Sequence, residues 1–147
     1  MFPAGDLISA WVPLLFYLRS LEPISPLVSV FRGYVSAYID LNRNGWLSPA
    51  EIAEANSLSM EEDYDLSNVQ GIGFMTELTY ILIDSNTHLT ELDVSRNNKL
   101  NGLELWSNGL TRLTLGEQPE LLWIDVDDNA LTTLDLSGAP NLRDLYV

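Results

Sequence analysis

The sequence has no cysteine, one histidine and few basic residues. Without cysteine there is no disulfide and no thiolate to act as metal ligand or nucleophile. Seven Lys and Arg against 21 Asp and Glu give a formal net charge of −14. This balance argues against nucleic acid and anionic membranes as partners, because both require a basic surface. The 147 residues suffice for one domain with its own core.

Long apolar runs are also missing, and this bears on the N-terminal segment, residues 1–26. The run Leu7–Leu18 is too short to span a bilayer and is broken by Pro13. A divergent secretory signal is one interpretation, although Asp6 precedes the run and no Lys or Arg does. A helix or strand that covers the end of the following domain is the interpretation that we favour. Either way, no transmembrane span is expected.

From Leu78 onward the chain repeats the pattern Leu-x-x-Leu-x-Leu, with Ile or Val substituting. Seven units, spaced 10 or 11 residues apart, begin at Leu78, Leu89, Leu100, Leu110, Leu121, Leu131 and Leu142. Two units form a coil of 21–22 residues, the length of a short leucine-rich repeat. Gly, Asn and Pro interrupt the units too often for amphipathic helices. The pattern therefore predicts a β-solenoid over residues 57–147.

Two kinds of unit alternate along the solenoid. After the first kind, two residues intervene before an asparagine, namely Asn86, Asn108 or Asn129. These asparagines predict a ladder that bonds the backbone at the turn of each coil. The residues between the leucines of the first kind are expected to face outward on one sheet. They are Tyr80, Leu82, Asp84, Gly102, Glu104, Trp106, Trp123, Asp125, Asp127, Asp144 and Tyr146.

Aromatic side chains alternate with acids on this predicted face. Such a surface suits a basic protein partner or a stacked sugar. The candidate binding residues are Tyr80, Trp106, Trp123, Asp125, Asp127 and Tyr146. The alternative is a sheet surface of strand-favouring aromatics, with acids that provide solubility.

Residues 27–56 contain a loop, Asp40–Glu51, with the spacing of an EF-hand calcium loop. Oxygen-bearing side chains occupy positions 1, 3, 5, 9 and 12, glycine position 6 and leucine position 8. Helices are expected over Leu27–Ile39 and Glu51–Ala55. The predicted calcium ligands are Asp40, Asn42, Asn44, the backbone carbonyl of Trp46, Ser48 and Glu51. With two carboxylates, the expected affinity is weak, about 10⁻⁴ to 10⁻³ M. The alternative is an Asn/Gly turn followed by a helix capped at Ser48.

No catalytic set is visible in the sequence. The single histidine, His88, falls in a predicted turn, and Gly71-x-Gly73 is too short for a phosphate-binding loop. The acids Asp125 and Asp127 share a strand face, but nothing predicts a pocket around them. We therefore expect no enzymatic activity.

The repeats resemble those of bacterial leucine-rich-repeat surface proteins of Bacteroidetes and Firmicutes. Leu121–Ser137 matches their coil pattern, and Leu100–Gly116 matches it less closely. Phe31–Val35 resembles the phrase that introduces an EF-hand-like segment before the coils. The chain departs from the family at its N-terminus and in the longer turn Asn86–Leu89. The resemblance implies an exported, secreted or cell-surface bacterial protein that binds protein or glycan partners without enzymatic activity.

Together these features predict an α+β fold in which a helix–EF-hand loop–helix segment caps a short leucine-rich-repeat β-solenoid. The last unit, Leu142–Val147, stops mid-coil. We expect either a fragment of a longer array or an exposed edge that pairs with a partner or with itself. The expected function is a calcium-binding interaction module. The alternative is a purely structural, calcium-stabilised spacer within a larger surface protein.

Overall fold

The computed structural model describes residues 28–44, 47–61 and 66–147, and the predicted N-terminal segment 1–26 lies outside them. Two short helices come first, α1 (Val28–Tyr38) and α2 (Pro49–Glu54), and a 3-10 helix covers Ile72–Phe74. The strands are β1 (Ser57–Met60), β2 (Tyr80–Ile83), β3 (Glu91–Asp93), β4 (Gly102–Glu104), β5 (Arg112–Thr114), β6 (Trp123–Asp125) and β7 (Asp144–Tyr146).

These strands wind into a β-solenoid of about four turns. A five-stranded parallel sheet has the order β1-β2-β4-β6-β7, and β3 pairs with β5 in a second parallel sheet. From β2 to β7, residues paired in register are 22, 21 and 21 positions apart. This spacing confirms the predicted coil length. The first coil is longer, with partners 23 positions apart.

The apolar positions of each unit point into the solenoid because side chains alternate along a strand. In β2, Ile81 and Ile83 are fully buried, whereas Tyr80 and Leu82 are half-buried on the outer face. In the central coils, the inward Leu103 and Ile124 are likewise fully buried. The apolar residues of the last coil are less completely buried, and Leu145 is 42% exposed. Four leucines of this coil are partly buried against the core, namely Leu131, Leu134, Leu136 and Leu142.

Helix α1 lies against the same core. Phe31 and Val35 share one helix face, and Ile39 follows at the same spacing just after the helix. All three are buried in the cluster that contains the solenoid leucines. Neither helix of the described residues has the length and apolarity to cross a membrane.

Side-chain amides close the coil turns as the sequence predicts. The Asn108 amide nitrogen donates to the carbonyls of Ile83 and Leu105, both at 2.7 Å, and its oxygen accepts the Asn86 N–H at 2.9 Å. Asn129 repeats the pattern one coil later, donating to the Leu105 carbonyl at 2.7 Å. These bonds confirm the predicted asparagine ladder and tie each coil to its neighbour.

A second ladder, which the asparagine pattern does not predict, runs through the other turns. Asn97 and Gln118 are fully buried. Asn97 donates to the Ile72 and Met75 carbonyls, and Gln118 donates to the Val94 and Leu115 carbonyls, at 2.8–3.0 Å. The signal was an amide three residues after the last apolar position of the unit. Because the residue type changes from Asn to Gln between coils, this amide signal is not visible as a repeated residue.

We predict that Asn108→Ala destabilises the protein by about 3 kcal/mol, because it leaves two buried carbonyls and one buried N–H unsatisfied. Urea denaturation measures the effect. Asn98→Ala, at an exposed turn position, is the matched control and should change stability by less than about 0.5 kcal/mol. Equal losses in the two variants would contradict a ladder that supports the coils.

Candidate functional sites

The register of the five-stranded sheet places the outward side chains in two straight rows. One row contains Tyr80, Gly102, Trp123 and Asp144, and the other contains Leu82, Glu104, Asp125 and Tyr146. Parallel neighbours stand about 4.8 Å apart, so side chains within a row touch. The chemistry of the surface therefore depends on which residues are adjacent across coils.

Gly102 determines where the indole of Trp123 lies. A methyl group at Gly102 would fall 2.6 Å from two carbons of the indole ring, so the ring occupies the space of the missing side chain. The indole also reaches Tyr80, with 5.9 Å between ring centroids and 43° between planes. This separation is typical of aromatic pairs that attract each other. Because Gly102 has no side chain, the two aromatic residues of the flanking coils come into contact.

Glu104 anchors the other side of this pair. Its carboxylate accepts a hydrogen bond from the Tyr80 hydroxyl. Burial, and then the hydrogen bond to Glu104, raises the pKa of Tyr80. Glu104 also stands in register with Asp125. The two rows carry three acids, Glu104, Asp125 and Asp144, and no base, so the surface favours cationic groups and hydrogen-bond donors.

The other predicted surface residues are distributed as follows. Tyr146 is 56% exposed and Trp106 is 37% exposed, and Asp127 is exposed at the turn after β6. Asp125 is half-buried. The prediction that Asp84 faces outward was wrong. Asp84 is 4% exposed, and its N–H donates to the Met60 carbonyl of the preceding coil.

The predicted calcium loop brings its described residues together. The Glu51 carboxylate accepts from the Asn42 side chain at 2.8 Å and from the Ser48 N–H at 2.8 Å. The Asn44 N–H donates to oxygens of Asp40 and Asn42 at 3.2 and 3.0 Å. Hydrogen bonds therefore connect positions 1, 3, 5, 9 and 12 of the loop, in part through backbone N–H groups. Gly45 and Trp46, with its predicted carbonyl ligand, lie outside the described residues.

Two carboxylate residues of this loop are buried. Asp40 is 3% exposed and Glu51 is 7% exposed. Hydrogen bonds from the Ser48 backbone and then from its side chain hold the pKa of Glu51 below the usual value, so it is ionised at neutral pH. Two carboxylates, two amides and a hydroxyl are the oxygen donors that calcium prefers, so this residue set fits the ion.

Ser48 also serves the alternative interpretation. It caps α2: its hydroxyl accepts a hydrogen bond from the Glu51 N–H at 3.2 Å, and the Glu51 carboxylate accepts one from the Ser48 N–H. The same contacts form in a capped turn without a metal. In the described part of the chain, no three His, Cys, Asp or Glu side chains cluster as a metal site; the loop contributes only two. The calcium site stays a prediction.

No protein-family model matches this sequence, and no curated protein is measurably similar to it.

We predict that Gly102→Ala displaces the Trp123 indole, because the new methyl group overlaps the ring, and that it destabilises the protein by about 1–3 kcal/mol. Near-ultraviolet circular dichroism and urea denaturation measure the two effects. Gly33→Ala is the control. No atom lies within 4 Å of its added methyl group, so in helix α1 it should stabilise by about 0.5–1 kcal/mol. An unchanged aromatic spectrum for Gly102→Ala would contradict the packing role of Gly102.

Proposed function

We propose that the chain is a non-enzymatic, calcium-stabilised binding module that recognises a protein or glycan through the outer face of its five-stranded sheet. The observation that carries this proposal is the aromatic pair of Tyr80 and Trp123, flanked by Glu104 and Asp125 in register. Trp and Tyr are enriched among the few residues that dominate contact energies in protein recognition. The wider surface includes Trp106, Asp127 and Tyr146.

The geometry gives this surface a fixed shape before any ligand arrives. The indole lies over Gly102, and the Tyr80 hydroxyl holds Glu104. Both aromatics stand on strands whose spacing is set by backbone bonds. A contact surface that is already ordered loses little conformational entropy on binding, and this supports binding as the role of the sheet.

Calcium in this proposal is structural. Asp40, Asn42, Asn44, Ser48 and Glu51, with the Trp46 carbonyl, would hold the ion between two helices whose inner faces contact the core. A lone loop beside a solenoid suits a clip that fixes the N-terminal coil, since sensor loops occur in pairs. The resemblance to leucine-rich-repeat surface proteins supports an extracellular or bacterial cell-surface setting.

A second candidate function is a calcium-stabilised spacer, with the solenoid serving only to separate other parts of a larger protein. The acid-rich outer rows favour it, because they also provide solubility. In either case strand β7, whose side chains are exposed, is an edge strand of the sheet, and its unpaired edge offers a pairing site to a partner or a second copy.

The calcium proposal predicts a higher melting temperature in calcium. At 10 mM calcium and a dissociation constant of about 10⁻⁴ to 10⁻³ M, ligand binding adds about 1.4–2.7 kcal/mol. The melting temperature should then rise by about 3–10 °C over the value in chelator. Differential scanning calorimetry measures the shift. Glu51→Gln should abolish the shift, whereas the control Glu54→Gln, at an exposed position of α2, should retain it. Coincident melting curves in calcium and chelator would exclude the site.

The binding proposal predicts that Trp123→Ala reduces retention by a ligand at least about tenfold, the usual effect of truncating a central aromatic. The probes are a glycan array and an immobilised lysine decapeptide, which separate the sugar and basic-partner alternatives. Tyr38→Ala is the control, because Tyr38 is 62% exposed and lies on α1, outside the strands of the sheet. If neither probe is retained by the unaltered protein, the spacer function is favoured. If Tyr38→Ala reduces retention equally, the sheet is not the contact surface.

A further inference from the structure

A cavity of about 470 Å³ lies on the other side of the solenoid, against β3 and β5. The segment 68–74 forms one wall, and the outward residues of the two strands form the floor. Its size is within the range of sites that bind small molecules. The Asn97 side chain fixes the wall by donating to the carbonyls of Ile72 and Met75 at 2.9 and 2.8 Å, so the cavity belongs to the ordered part of the fold.

Two of the seven basic residues of the chain line this cavity, Arg96 and Arg112. The stem of Arg96 packs on Gly73, where a methyl group would fall 3.2 Å from its Cδ atom. Its guanidinium carbon lies 5.7 Å from the centroid of the Phe74 ring. Contact on both sides orients the guanidinium, and stacking on an aromatic is typical of arginines that recognise ligands.

The acids of the cavity do not neutralise these arginines by direct pairing. Among the described residues, neither arginine forms an ion pair within 4.0 Å. Glu91 and Arg112 are in register across the two strands, as are Asp93 and Thr114. Hydrogen bonds from the Ser95 side chain and backbone, reinforced by Arg112 and Arg96, hold the pKa of Asp93 below its usual value. Asp93 therefore accepts hydrogen bonds at neutral pH.

We propose that this cavity binds a singly charged organic carboxylate that also carries hydroxyl groups, the chemistry of a uronic acid. The forked N–H groups of Arg96 and Arg112 match a carboxylate. Asp93, Glu91 and Thr114 offer acceptors for the ligand hydroxyls. A phosphate suits the cavity less well, because it lacks the carbon-bound hydroxyl groups that these acceptors would bind.

The test titrates the whole chain with sodium glucuronate and follows backbone amide shifts by NMR. Glucose is the uncharged probe of matched shape, and inorganic phosphate is the anion without carbon-bound hydroxyls. We expect glucuronate to shift resonances of residues 91–96 and 112–114, with a dissociation constant of about 1 mM, the range of a small ligand at an open site. Glucose and phosphate should each bind at least about tenfold more weakly.

Arg112→Gln should weaken glucuronate binding at least about tenfold, because it removes one charge-assisted donor. Arg112 is exposed, and an unchanged urea midpoint verifies that the variant is folded. Arg143→Gln is the matched control: the same charge is lost from an exposed arginine outside the cavity, and binding should be retained. Equal affinity for glucose, tighter binding of phosphate, equal loss in both variants, or no shift at tens of millimolar glucuronate would each overturn the proposal. Because none of these readouts involves calcium or Trp123, they are independent of the proposed function.

Discussion

The bonds from buried side-chain amides to backbone carbonyls at the coil turns are the interaction on which this structure depends. A parallel strand must leave its sheet at each turn, and its carbonyl groups then lose their ladder partners inside the core. An unsatisfied buried carbonyl costs about 1–3 kcal/mol, which is large against the marginal stability of a domain. Asn108 and Asn129 supply donors at successive turns, each reaching its own coil and the preceding one.

The two ladders are not equivalent. In the first, the amides also accept: the Asn108 oxygen takes the Asn86 N–H, and the Asn129 oxygen takes the Leu110 N–H. In the second, the buried oxygens of Asn97 and Gln118 have no hydrogen-bond partner in the described part of the chain. Each amide of the first ladder therefore gains more bonds for the same desolvation. The first ladder also lies beside the five-stranded sheet, which is the longer and more continuous of the two.

The sequence was sufficient where structure follows from a repeated constraint. Leucine spacing predicted the coil length and the buried face, because each coil must bury the same positions against its neighbours. It was insufficient where contact depends on different residues in adjacent coils. Asp84 occupies an outward position of the repeat but is buried. The packing of Trp123 over Gly102 requires the register, and the arginine cavity requires the segment 68–74, which does not repeat.

The prediction of the calcium loop from the sequence is limited by a different physical constraint. Position-specific spacing predicts its ligands, and hydrogen bonds connect the described ligand positions to one another. The capping box at Ser48 and Glu51 uses the same atoms, however, because both arrangements need a carboxylate turned toward the start of a helix. The difference lies in charge. A cap is satisfied by one carboxylate, whereas Asp40 adds a second buried carboxylate to the same loop. Calcium prefers carboxylate and other oxygen ligands, so a second carboxylate in the same loop is what the proposed calcium site requires and a helix cap does not.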